Sequence, residues 1–368
     1  MDECTSLGEI EDLVPAITQP DVRPHSPLGN NPLGSAQISS SVVEVMILRA
    51  INPPRSLEHK RRPSGRRLSP HSKQSFPILK QPIRLGKSGL KVSRIILGCM
   101  TYGTKSWYGW VLEEEEGIKH IKEAFALGIN TFDTANVYSF GESEKILGKA
   151  VKEIGAPRSS FVILTKLNGT VLPEDAPEDA KKGTVNPEEY GYINYGGLSR
   201  KHIFESVQAS LKRLQMDYID VLQCHRFDPN TPIEETMRAL HDVVQAGYVR
   251  YIGMSSCYAW QFHIMQNYAI NNNLTPFISM QNFYSLIYRE EEREMNPLVE
   301  EIANKKGVSM SQIALAWVMQ KSPVSAPIVG TTSLEHLRDM IKAVNVKLDE
   351  EEMKYLEELY ASRSIVGH

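Results

Sequence analysis

The sequence predicts an α/β protein, a (β/α)8 barrel of the TIM type, over residues 78–368. From about residue 78, short apolar runs alternate with amphipathic ones, the pattern of parallel strands covered by helices on both faces. The alternation runs through many units without a break, which favours a closed barrel over an open sheet. The rival, a doubly wound sheet, opens with a glycine-rich dinucleotide loop after its first strand, and "LGCMTYG" (97–103) is not that fingerprint.

Each element has its own signal. "RIILGCM" (94–100) is a buried strand. "EEEEGIKHIKEAFALG" (113–128) sets Ile118, Ile121 and Phe125 at helical spacing, begins with acids that suit a helix amino terminus, and stops at Gly128. "NTFDTA" (130–135) and "SFVILTK" (160–166) are strands around the helix "ESEKILGKAVKEIG" (142–155). The helix "IFESVQASLKRLQ" (203–215) and the strand "YIDVLQCH" (218–225) follow. "TPIEETMRALHDVVQAG" (231–247) reads as a helix with a capping box from Thr231 to Glu234 and Pro232 at its first position. "YVRYIGMSS" (248–256), "FISMQN" (277–282) and "APIVG" (326–330) complete the strands.

Residues 1–77 differ. They are rich in Pro, Ser, Gly and Asn and show no sustained period, so they are expected to form a disordered extension or a gene-model artefact ahead of the barrel domain 78–368. "KRRPSGRR" (60–67) reads as a solvated basic linker, with a nuclear address or phosphate-binding patch as its sharper alternative. The net charge of −3 gives no global field for nucleic acid or anionic membrane. No run approaches the length of a membrane helix, and the acidic first dozen residues are unlike a targeting leader. Cys4, Cys99, Cys224 and Cys257 lack a metal-ligand or disulfide spacing, so no metal is expected and a cytoplasmic location is.

In a parallel barrel, functional groups gather at the carboxyl ends of the strands. Those ends carry Asp133, Lys166 and His225, with Tyr138 on the loop after Asp133, then Ser255, Ser256 and Gln281. A phenol has an ordinary pKa near 10, and a neighbouring ammonium lowers it by stabilising the phenolate. Asp133 would orient Lys166, and a neutral His225 would hydrogen-bond a carbonyl oxygen. The group suits protonation of an oxygen that gains negative charge, as a carbonyl oxygen does when hydride is delivered.

"FDTANVYS", "ILTK", "DYIDVLQCHRFD", "VRYIGMSS", "SMQNFYSL" and "PIVGTTSLEHL" together resemble the signature segments of the aldo-keto reductase superfamily, most of all its fungal secondary-metabolism members of the versiconal hemiacetal acetate reductase group. The resemblance implies a barrel that binds NADPH without a separate nucleotide domain and reduces a small carbonyl substrate, aromatic ones included. Tyr138 would be the proton donor, tuned by Lys166 and Asp133, with His225 orienting the carbonyl. Ser255, Ser256 and Gln281 would hold the nicotinamide, with Met100 and Thr101 lining the pocket. Gly330, Thr331 and Thr332 would approach the adenosine 2'-phosphate. His336 stands where relatives carry Arg or Gln, with Arg338 as a substitute cation.

One departure stands out. Relatives place a seventh strand before "APIVG", whereas residues 289–325 read as helix, turn, helix. The expected barrel is therefore incomplete, with a gap and exposed edges. The alternatives to a reductase are a cofactor-sensing regulatory subunit like the β-subunits of potassium channels, or an inactive truncated paralogue. The loop 167–197, with Tyr190, Tyr192 and Tyr195, and the aromatics Trp107, Tyr108 and Trp110 are candidates for the substrate mouth.

Overall fold

The computed structural model describes residues 46–49, 82–283, 296–322 and 324–357; the basic run at 60–67 lies outside them. In chain order the described elements begin with β1 (Met46–Arg49), β2 (Ile83–Arg84), β3 (Lys91–Val92) and β4 (Ile96–Gly98). Then α1 (Glu114–Ala126) leads to β5 (Thr131–Asp133), and α2 (Glu142–Ile154) to β6 (Val162–Leu167). The long loop after β6 contains α3 (Glu178–Lys181). Next come α4 (Arg200–Leu214), β7 (Ile219–Cys224), α5 (Ile233–Gln245), β8 (Val249–Ser255), α6 (Ala259–Asn271) and β9 (Phe277–Phe283). Two helices in succession, α7 (Asn296–Lys306) and α8 (Met310–Gln320), precede β10 (Val324–Val329), α9 (Leu334–Ile341) and α10 (Glu350–Tyr355).

Seven parallel strands, in the order β10-β4-β5-β6-β7-β8-β9, make most of a barrel. Among the described residues no strand lies between β9 and β10. The expected gap is nevertheless closed. β1 pairs antiparallel with both free edges, setting Leu48 opposite Gln281 and Ile47 opposite both Asn282 and Pro327. Residues 46–49 thus correct the expectation of an extension without regular structure: their apolar run meets two edges whose backbone groups need partners.

Strand alternation sorts the side chains into two cores. Val162 and Leu164 of β6, Ile96, Val221, Ala326 and Ile328 pack inside the barrel with Leu85 and Val92, which the β2–β3 hairpin brings to its amino-terminal end. Ile163, Leu167, Phe132, Leu222 and Ile252 point outward to the helices, where Trp317, Ile121 and Leu240 are also buried. Each such side chain contributes roughly 1.5–3 kcal/mol by leaving water.

Helix starts follow local chemistry. The Ser199, Ser309 and Ser333 hydroxyls cap α4, α8 and α9, and Asp349 forms a reciprocal capping box with Glu352 in α10. The box expected at Thr231 does not form. The Thr231 hydroxyl donates to Asp228 Oδ2 at 2.6 Å, and Pro232 stands at the N-cap of α5, which has no side-chain cap. Asp228 has a better claim on that hydroxyl because it already gathers the Leu198 and Asn230 N–H groups.

Candidate active site

Above the apolar floor, the same inward column turns polar. Lys166 continues the line of Val162 and Leu164, and it is fully buried beside Asp133 and Gln223. Such a layer persists only if its charges and amides satisfy one another. Lys166 Nζ donates to Asp133 Oδ2 at 2.6 Å and to the Thr134 carbonyl at 2.9 Å, and it stands 3.5 Å from the Tyr138 hydroxyl. Gln223 Nε2 donates to Asp133 Oδ1 at 3.2 Å, and Gln281 Nε2 to Asp133 Oδ2 at 3.3 Å. The carboxylate therefore gathers three donors from three strands.

The backbone fixes the remaining members. The Asn136 N–H donates to the Lys166 carbonyl and the His225 N–H to the Leu167 carbonyl, locking the loops after β5 and β7 to β6. The Tyr138 and His225 rings meet edge to face at 5.8 Å. Asp133, Tyr138, Lys166 and His225 are thus brought together. Burial alone pushes the Lys166 ammonium down, but the Asp133 charge and the Tyr138 oxygen outweigh it and hold Lys166 above its ordinary value. His225 is pushed well below the usual imidazole value by desolvation and by the charges of Lys166 and Arg226, so its ring stays neutral.

Residues at the neighbouring strand ends form a second group. Ser255 Oγ lies 3.3 Å from Ser256 Oγ, and the Ser256 N–H donates to the Gln281 carbonyl at 3.0 Å. Thr101 is buried and half-buried Met100 precedes it, at the end of β4 next to β10; Gly330, just past β10, faces the Thr101 methyl. Gly330, Thr331 and His336 line a cavity of about 230 Å³ with Ser309, Ser311 and Asp339, while half-buried Thr332 is not among its walls. Hydroxyls, an imidazole and a loop entering α9 suit an anionic or ribosyl group. Asp339 opposes a second negative charge there, although the Ser309 hydroxyl and the Gln312 amide already engage it. Arg338 is turned to α1, where it pairs with Glu123 at 2.8 Å. It is not among the cavity's walls.

The aromatics Trp107, Tyr108 and Trp110 form one cluster: Trp107 lies 4.6 Å from the Tyr108 ring and 6.2 Å from the Tyr138 ring, and Tyr108 and Trp110 stack on each other in the open. Tyr190 donates to Asp179, and Tyr192 packs edge to face on Tyr195. These three tyrosines thus have partners within their own loop. Gln223 does not end a strand, and its only sequence signal is the period of two that places it on the inward side with His225. Among the described residues no cluster suits a metal ion. Burial pushes the Cys99 and Cys224 thiols far up and the Cys257 thiol to about 12, leaving all three protonated. Nor is any described helix long and apolar enough to cross a membrane.

Comparison with known proteins identifies the family. The profile described as "Aldo/keto reductase family" matches residues 94–300 and 289–361. A versiconal hemiacetal acetate reductase of Aspergillus parasiticus is 44% identical over 338 residues, covering 77% of this chain and 97% of that protein. An aldo-keto reductase of Alternaria alternata is 44% identical over 342 residues, 77% of this chain and 93% of that one. A putative aryl-alcohol dehydrogenase of Schizosaccharomyces pombe is 43% identical over 341 residues, 77% and 96%. The chain therefore belongs to the aldo/keto reductase family and is an oxidoreductase that acts on carbonyl compounds.

Proposed function

We propose that the protein reduces an aldehyde or ketone to an alcohol with NADPH, in the cytoplasm and in fungal secondary metabolism. Tyr138, Lys166, Asp133 and His225 are the catalytic residues of this reading, and the observation that carries it is Lys166 held between Asp133 and the Tyr138 phenol. When bound, the reduced nicotinamide supplies hydride to the carbonyl carbon. The Tyr138 O–H donates its proton to the carbonyl oxygen as negative charge develops there, and the Lys166 ammonium stabilises the phenolate left behind. The 3.5 Å separation is long for a hydrogen bond and is expected to shorten in the loaded enzyme. Neutral His225 donates to the same oxygen and aligns it.

Ser255, Ser256 and Gln281 present the hydroxyl and amide chemistry a nicotinamide carboxamide needs, and Met100 and Thr101 are assigned to the lining of the same pocket. Gly330, Thr331, Thr332 and His336 are assigned to the adenosine end. NADPH rather than NADH rests on His336 and the amino terminus of α9, with Asp339 weighing against it. Trp107 beside Tyr138 supports a planar, aromatic substrate, as does the likeness to a putative aryl-alcohol dehydrogenase. The catalytic unit of this reading is residues 78–368, completed by β1 from the preceding extension. Among the described residues it has seven parallel strands closed by β1, and the four assigned catalytic residues lie at the ends of β5, β6 and β7 or on the loops that follow them.

Steady-state NADPH oxidation with 4-nitrobenzaldehyde tests the reading. The wild-type chain is expected to turn over and Tyr138→Phe to lose at least about 100-fold in kcat. Equal rates in the two proteins would remove Tyr138 from the chemistry.

A further inference from the structure

The loop that presents Tyr138 is strained. Ser139, Phe140 and Gly141 follow it with φ of 51°, 58° and 95°, three left-handed residues in succession, two of them not glycine. Such a backbone persists only where its surroundings over-determine it. On one side, fully buried Ser139 accepts the Thr104 N–H at 3.2 Å. On the other, Arg213 of α4 lies against Gly141, its Cδ 2.7 Å from where a Cβ would be.

Arg213 is itself held by Glu144. Its Nε donates to Glu144 Oε2 at 2.6 Å and its guanidinium also reaches Ser210. Glu144 is fully buried in the first turn of α2, and its second oxygen accepts the Thr165 hydroxyl at 2.6 Å. Thr165 faces the helices from β6; the next residue, Lys166, faces inward to the phenol. One carboxylate thus joins the strand that carries Lys166 to the helix that braces the Tyr138 loop. A buried ion pair is seldom better for stability than apolar side chains of the same volume, so stability alone does not account for it.

We infer that Glu144 is a positioning residue which, through Thr165 and Arg213, sets the separation between Lys166 Nζ and the Tyr138 hydroxyl. The inference rests on Tyr138 being the proton donor. Loosening the clamp moves the ammonium and phenol apart and weakens the stabilisation of the phenolate. Alcohol oxidation, which needs the phenolate, then requires a higher pH.

The test compares wild type, Thr165→Val, the double variant Glu144→Leu/Arg213→Met, and Tyr138→Phe in alcohol oxidation across pH, alongside thermal unfolding. The double variant is expected to lose about tenfold in kcat, with substrate KM changed less than about twofold and the apparent pKa of the oxidation raised by about one unit. Thr165→Val, which keeps shape and removes only the hydroxyl, is expected to shift in the same direction by about threefold in kcat. If the double variant does not fold, Thr165→Val alone decides. Wild-type kcat and pH profile in the folded variants, whatever their melting temperature, overturn the inference. If Tyr138→Phe also keeps wild-type activity, it is instead the proton-donor assignment that has failed.

Discussion

Asp133 and Lys166 form an ion pair at 2.6 Å with both side chains almost wholly out of solvent. Removing one partner of such a pair leaves the other charge buried without compensation, a loss of about 3–5 kcal/mol. Asp133→Asn is therefore expected to lower unfolding free energy by several kcal/mol. Lys166→Met added to it should restore part of the loss, because the stranded charge is gone. Urea denaturation of the two single variants and the double variant measures the coupling, and strict additivity would contradict the pairing.

Three imidazoles, buried His120 and His202 and half-buried His225, bear on the acid side of stability. Desolvation, with the charges of Lys166 and Arg226, lowers the His225 pKa well below its unfolded value near 6.5; desolvation also lowers those of His120 and His202. Below pH 6.5 the unfolded chain binds protons that these native histidines refuse. Their stabilising contribution is complete above that pH and is lost as the pH falls toward the folded values. Unfolding free energy should therefore fall between pH 7 and pH 5, by up to about 1.4 kcal/mol per pH unit for each fully linked group. His225→Gln should flatten the slope, which chemical denaturation at several pH values reads directly.

A close backbone approach offers a third test. A Cβ built on Gly103 would lie 1.8 Å from Ser139 Oγ, so Gly103→Ala cannot be accommodated without moving Ser139 and the loop behind Tyr138. Activity is expected to fall at least about tenfold while cofactor binding, followed by NADPH fluorescence, changes little. Ser139→Gly in the same chain removes the colliding atoms and suits the left-handed backbone, so it should restore activity in part. A double variant no more active than Gly103→Ala would place the damage elsewhere.

Much of this site was legible because one regularity, polar residues ending apolar strands, operates locally. Asp133, Lys166 and His225 each announce themselves within a single strand. What the strand ends could not reveal depends on contacts remote in sequence. Thr231 looked like a helix cap until Asp228 competed for its hydroxyl. Arg338 looked like a free cation until α1 supplied Glu123, 215 residues earlier. The strain at Ser139 and Phe140 is invisible in residue types that ordinarily avoid a positive φ. β1 was hidden for a related reason: four residues show no useful period, and only the unpaired edges of β9 and β10 make them a strand.

Those edges lead to the last prediction. Leu48 stands opposite Gln281, whose amide reaches Asp133, so β1 supports the backbone at the rim of the site. The support is uneven. Its register with β10 is irregular between Ile47 and Arg49, and Pro327, opposite Ile47, has no N–H to give. A chain beginning at residue 51 would leave β9 and β10 with bare edges facing each other across a gap. It should melt several degrees lower, associate as its concentration rises, and bind NADPH more weakly as Gln281 loses its anchor. Arg49 and Val324 are paired, so cysteines at both positions in the full-length chain should form an intramolecular disulfide under mild oxidation, whereas either cysteine alone should not. If the shortened chain melts, elutes and binds like the full-length protein, and the paired cysteines stay reduced, β1 does not close the barrel in solution.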